Sequence, residues 1–365
     1  LGNSNTTLTV GGGRRYRLPT STLTADHTAT LSVTGAAAGD TITIVRDDGS
    51  YNHYRIMLSS TVQIWDMAGP GAFVAEFDGT AWIPRTREQV PGERILNVRH
   101  FGAFGDGTAQ DTEAIQAAID AALSDGSVVH IPPGTYRITA TLRIQDGGSN
   151  AKHGIRIFGH VQAGAGDVNT VLLWDNPENT SPMIAMYTRE SVLQGFSMKV
   201  AAGSHTACAV DIDKSLLSGA NIGTEITMRE VQIWAAVGAE TGGTMTDGIR
   251  IGYYDDPPAN NLEFNQFHNC LIRGVQNACL LIKSPTAQSK SNVIYHCAFQ
   301  YSRYGIFMVS GSYQCRDSSF TGIYDTCIHH ENVTEPILID HPNEEASNRF
   351  LLSAGPSTTV VEVIG

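Results

Sequence analysis

Apolar and polar residues alternate with a period of two through most of this chain, and one stretch breaks that rhythm. From Thr112 to Leu123 the apolar residues Ile115, Ile119 and Leu123 recur every fourth position, with Ala118 and Ala122 in the same stripe. That spacing predicts a short amphipathic helix. Ahead of it, the segments 29–33, 41–46, 54–58, 62–65 and 73–77 predict five or six short strands, with Asp47-Asp48-Gly49-Ser50 and Asp78-Gly79-Thr80 as turns. Residues 1–84 therefore read as a small antiparallel β domain, and 85–96, flanked by Pro84 and containing Pro91, as a linker. Behind the helix, strand-like bursts continue to the C-terminus. Leu280-Leu281-Ile282 recurs as Ile306-Phe307-Met308 twenty-six residues on, and as Cys327-Ile328-His329 twenty-one further; Phe299 to Phe320 is another step of twenty-one. Steps of about 20–27 residues suit one solenoid coil of three short strands and their turns. Residues 127–365 are thus expected to wind about eight to ten coils of that length, with Asn265, Asn269, Asn277 and Asn292 as candidate amide ladders in the turns.

The stretch 97–126 opens this solenoid. Phe101-Gly-Ala-Phe-Gly-Asp-Gly107 is a Gly-rich turn, Asp111 is placed to N-cap the helix, and Pro132-Pro133-Gly134 turns the chain between two strands. Together with Asn97-Val98, Asp111-Thr112, the 114–119 helix AIQAAI and Thr135-Tyr136, this segment resembles the opening of the pectate-lyase-like right-handed parallel β-helices of bacteriophage tailspikes and polysaccharide-degrading enzymes. Gln110 stands where many relatives carry a second Asp. The resemblance implies an all-β fold: a right-handed parallel β-helix with an N-terminal capping α-helix, preceded by the small β domain. The helix has a physical reason, because an open solenoid end exposes apolar core and unpaired strand edges. The resemblance also implies a virion appendage that is a homotrimer. It would be made in the host cytoplasm and docked on a phage tail or baseplate protein through its N-terminal domain.

Charge narrows the partners. Lys+Arg 24 against Asp+Glu 36 gives a net charge of −12, which argues against nucleic acid or an anionic membrane surface. No apolar run is long enough to cross a membrane, no signal-peptide pattern is read at the N-terminus, and the absence of an initial Met suggests a trimmed chain. Six cysteines lie beyond the midpoint without a CxxC pair, several inside apolar strands, so buried free thiols are expected.

Chemistry must then come from outward positions and loops. In Ala209-Val210-Asp211-Ile212-Asp213-Lys214, inward Val210 and Ile212 place Asp211 and Asp213 on one outward face. Residues two apart in a strand are separated by roughly 6.6–7 Å, within the roughly 6.5–9.5 Å between the carboxyl groups of inverting glycosidases. The plainer reading is a solvated face neutralised by Lys214. Asp247, and Asp255-Asp256 before Pro257-Pro258, are further acids near long turns, and Arg250 or Arg273 could act as the base of a lyase. Trp234, Tyr253, Tyr254, Tyr301 and Tyr304 are candidate sugar-stacking rings, with Tyr253-Tyr254 beside Asp255-Asp256 the best cluster and packing under a loop the alternative. His329-His330 reads as structural, no HxxxH or HExxH spacing occurs, and neither metal nor cofactor is expected. The catalytic candidates are therefore Asp211, Asp213 and Asp247. The glycan-binding candidates are Trp234, Tyr253, Tyr254, Asp255 and Asp256. Binding of a bacterial surface polysaccharide is the leading reading, an active depolymerase (hydrolase before lyase) the second, and a purely structural virion component the third.

Overall fold

The computed structural model describes residues 6–8, 14–17, 27–46, 56–59, 64–66, 71–77, 79–85, 95–145, 154–161, 169–178, 181–213, 225–236, 242–253, 262–283, 291–331, 336–353 and 361–364. The linker core at 86–94 and the candidates Tyr254, Asp255, Asp256 and Lys214 lie outside them.

From residue 95 onward the chain winds a parallel β-helix of three sheets. Among the described residues these hold ten strands (first sheet, from Ile95–Asn97 to Val361–Ile364), nine (second, Asp106–Gln110 to Asn343–Glu345) and eight (third, Leu142–Gln145 to Leu351–Ser353). After the first coil, in which the helix follows the second-sheet strand, each coil visits them in that order, as in Thr227–Arg229, Gln232–Trp234 and Thr244–Ile251, and each strand pairs in parallel with its equivalent one coil on. The sequence repeat was nearly in register. Leu280 faces Ile306 and Phe299 faces Phe320, but Ile306 faces Ile328, so the third copy is Ile328-His329-His330, one residue later than read.

The predicted helix forms as Thr112–Asp125 and closes one end, with Ile115, Ala118, Ile119 and Ala122 buried in the solenoid core. Asp111 does not cap it through its side chain. Its buried carboxylate instead accepts from the Phe104 and Gly105 N–H groups at 2.6 and 3.3 Å, clamping the Gly-rich turn, where Gly102, Gly105 and Gly107 all have positive φ. From Gly195 onward the turn between first and second sheets is made by one left-handed residue on each coil, among them Glu230, Asn269, His296 and Asp317. Of the proposed amide ladder one rung forms, Asn265 Nδ2 donating to Asn292 Oδ1 at 3.1 Å. Asn269 sits in the left-handed turn, and Asn277 is engaged by an acid. All six cysteines are free and buried.

The N-terminal residues have a separate core of Leu8, Ala29, Leu31, Ile42, Ile44, Ala75, Phe77 and Trp82. Among the described residues two four-stranded sheets form there, and they are mixed rather than antiparallel. The strands Thr6–Leu8, His27–Leu31 and Ile56–Ser59 pair in parallel, as do Arg14–Arg17 and Thr41–Arg46. The reason is topological. The first five strands alternate between the two sheets, so each pairs with its next-but-one neighbour, which runs the same way. Among the described residues, only the pairings of 56–59 with 64–66, 41–46 with 71–77 and 71–77 with 82–85 are antiparallel.

Candidate functional site

The third sheet departs from strict alternation. Ala209 and Val210 both join the core, as do Cys279 with Leu280 and Cys327 with Ile328. A Cβ built on Gly248 or Gly305 would also meet core side chains, Ile272 and Phe320 respectively. The five strands from His205–Ile212 to Thr326–His330 therefore bend inward for two residues, the first of them small. Their outward residues fall three apart: Cys208 and Asp211, Asp247 and Arg250, Ala278 and Leu281, Tyr304 and Phe307. The first two pairs stack in register, Cys208 against Asp247 and Asp211 against Arg250. After Asp211 the alternation resumes, so Asp213 faces outward on the same side, as expected.

These outward acids are not a solvated face. Asp211 and Asp247 are each 1% exposed, and Asp213 is 3%. Asp247 is fully engaged: Oδ2 accepts from Arg250 Nε at 2.8 Å, and Oδ1 accepts from Asn277 Nδ2 at 2.8 Å and from the Ala278 N–H at 3.1 Å. The Arg250 guanidinium lies 4.0 Å from the Tyr253 ring centre, with Lys283 Nζ 4.9 Å from the same ring. Asp211 is treated differently. Neither of its oxygens makes a hydrogen bond. Burial above all, and then the neighbouring Asp213, push its carboxyl up to about 7, against the pull of Arg250 and of the Tyr187 hydroxyl. A carboxyl with that value is partly protonated near neutrality, the state a general acid requires.

The aromatic candidates separate. Tyr253 belongs to this cluster through Arg250, whereas Trp234 lies on the second sheet between Lys199 (5.8 Å) and Arg273 (5.2 Å). Tyr304 packs with Ala278 and Leu281 in an outer apolar cluster above the acids, against which Phe307 and Tyr253 also rest. His329 joins its rings, while His330 turns into the core and meets the Tyr313 hydroxyl at 2.8 Å. No group of three or more metal-ligating side chains forms among the described residues. Sequence reading overlooked Tyr187, Lys199 and Lys283. Lys199 alone carried a signal, as a lone charge in the apolar strand SMKV.

Residues 95–171 match the family model described as rhamnogalacturonase A/epimerase, pectate lyase-like. The chain folds as a parallel β-helix, and its opening coils are similar to that pectate-lyase-like family. Among curated relatives, it is 34% identical over 120 residues to mannuronan C5-epimerase AlgE3 of Azotobacter vinelandii, covering 32% of this chain and 6% of that protein. It is 44% identical over 82 residues to alginate lyase 7 of the same organism, covering 22% and 9%. The chain thus spans less than a tenth of the length of either relative. Among solved structures, the phiAB6 tailspike, determined in complex with oligosaccharides of an Acinetobacter baumannii surface polysaccharide, aligns over 84% of this chain and 57% of its own at 14% identity and TM-score 0.49. The gp49 tailspike of A. baumannii bacteriophage Fri1, a capsular polysaccharide depolymerase, aligns over 89% and 73% at 11% identity and TM-score 0.45.

Proposed function

We propose that this chain acts on a polysaccharide, with the outer face of the third sheet around Asp211 as its chemical centre. The observation that carries the reading is Asp211 itself, a buried carboxyl held near 7 without a hydrogen bond, beside a second acid two residues on. Perturbed groups of this kind concentrate at functional sites. The local sequence relatives, named for epimerisation or cleavage of uronate polymers, point to the same class of substrate. Asp211 gives its proton to the glycosidic oxygen as that bond breaks. Asp213 takes a proton from the water that attacks the anomeric carbon, and the strand spacing of roughly 6.6–7 Å leaves room for that water. The Asp247–Arg250 ion pair fixes the wall beside Asp211, with Arg250 in register with it on the next coil.

The test is release of reducing ends from alginate, polygalacturonate and bacterial capsule preparations. Asp211→Asn and Asp213→Asn are each expected to abolish release, and undiminished release by both removes the acid pair from the chemistry. Ultraviolet absorbance from unsaturated ends would instead mark an elimination.

A second reading is binding without cleavage. It is favoured by the 1% exposure of Asp211, which closes the carboxyl to a polymer in this conformation. Labelled protein should then decorate cells while liberating no oligosaccharide. The setting we propose for either reading is a tailspike-like virion appendage, a homotrimer carried by the N-terminal β unit. The separate core of that unit and the cap motif support it. A monomer of 39.2 kDa in solution would count against it.

A further inference from the structure

Away from the acids, the second sheet carries a stripe of opposite sign. Register stacks Lys199, Trp234 and Arg273 on three successive coils. Their strand neighbours Met198, Ile233 and Ile272 are in the core, so all three side chains point outward. The Lys199 ammonium lies 5.8 Å from the Trp234 ring centre and the Arg273 guanidinium 5.2 Å from it. Arg273 is also 5.2 Å from the ring of Tyr301, which is 41% exposed. Along the solenoid axis the order is therefore cation, ring, cation, ring. Lys199 is exposed and makes no salt bridge among the described residues. Such a run of cations is notable in a chain of net charge −12.

Trp234 has a cation on each neighbouring coil, so its part here is spacing rather than stacking on a sugar. It holds two like charges apart and offers each a cation–π contact. Coils repeat at about 4.8 Å, which puts the Lys199 and Arg273 backbones about 9.6 Å apart. In an extended polymer of twofold-related uronate rings, the carboxylates that share a side lie on alternate rings, a separation of the same order. We propose that this stripe is a holding site for an acidic polysaccharide running along the solenoid axis, with the carboxylates of alternate rings on Lys199 and Arg273 and Tyr301 against the sugar beyond. This rests on the polysaccharide reading above but not on the acid pair being catalytic.

The test is retention of the full chain in affinity gels cast with polygalacturonate or alginate, with neutral dextran as control. Wild type should be retarded by the polyuronates alone, and the more weakly as salt is raised. Lys199→Glu, at an exposed position, should weaken retention at least tenfold. Trp234→Leu should weaken it several-fold while keeping both charges. Unfolding midpoints close to wild type establish that the variants are folded. Retention of Lys199→Glu within twofold of wild type, no retention of wild type by either polyuronate, or equal retention by dextran, overturns the proposal. The two readings fail separately. Product release that depends on Asp211 with retention indifferent to Lys199 removes this stripe alone, whereas retention that depends on Lys199 without any product removes the catalytic centre alone.

Discussion

Two acids on neighbouring coils illustrate how much a side chain's neighbours decide. Asp247 shares its buried oxygens among Arg250, Asn277 and the Ala278 N–H, while Asp211, equally buried, has no hydrogen bond. Substitution should therefore have opposite consequences. Asp247→Ala leaves Arg250, only 7% exposed, without its carboxylate, and should lower stability by about 3–5 kcal/mol in urea unfolding. Asp211→Asn removes a charge that burial already disfavours, and at pH 8 should leave stability unchanged or raise it. Sequence reading placed Asp211 and Asp213 on the correct side, because Val210 and Ile212 had to face the core. It could not see that this side is covered, since alternation reports direction and says nothing of what lies beyond. Nor could it pair Asp247 with Arg250, because three is not a strand spacing.

At the scale of elements, the inward bend of the third sheet explains a column of small residues, Ala209, Gly248, Cys279, Gly305 and Cys327. A Cβ on Gly305 would stand 2.6 Å from both the Cys327 carbonyl oxygen and Phe320 Cδ1. Gly305→Ala is therefore expected to cost about 1–3 kcal/mol through overpacking, seen as a lower urea midpoint. The same bend accounts for the one-residue slip in the third repeat. Cys327 looks like a core position because it is one, but it occupies the small step before the large residue, and the true partner of Met308 is His330. An imidazole is tolerated there because the Tyr313 hydroxyl meets it. The helix and the coil strands were legible because each buries one stripe or face. The strand order of the N-terminal unit was not, because a turn signal marks a reversal without saying which sheet the chain enters next.

At the scale of the molecule, buried titratable groups oppose one another. Burial raises Asp111 to about 6 and Asp211 to about 7, and lowers His100 and His330 to about 4. Between about pH 4 and 6 the folded chain holds up to two extra protons on the acids and lacks up to two on the histidines, relative to ordinary side chains. The first pair makes stability fall as pH rises and the second makes it rise, so these contributions nearly cancel. Asp211→Asn removes one acid and unbalances them. The folded state then binds about one proton fewer than the unfolded chain, and stability should climb by about 1.4 kcal/mol per pH unit across this window relative to wild type. Unfolding midpoints at several pH values would show it, and parallel profiles would overturn it.

The three-residue interval between outward positions on the third sheet also sets a rule for re-engineering it. A pair of ligands grafted onto one strand must be placed at i and i+3 to meet, as Asp247 and Arg250 already do, whereas the usual i and i+2 choice across the bend would drive one of them into the interior. Ala278 with Leu281, one coil further on, offers the next such pair, and there a designer would exchange hydrocarbon for chemistry without touching the ladder that carries it.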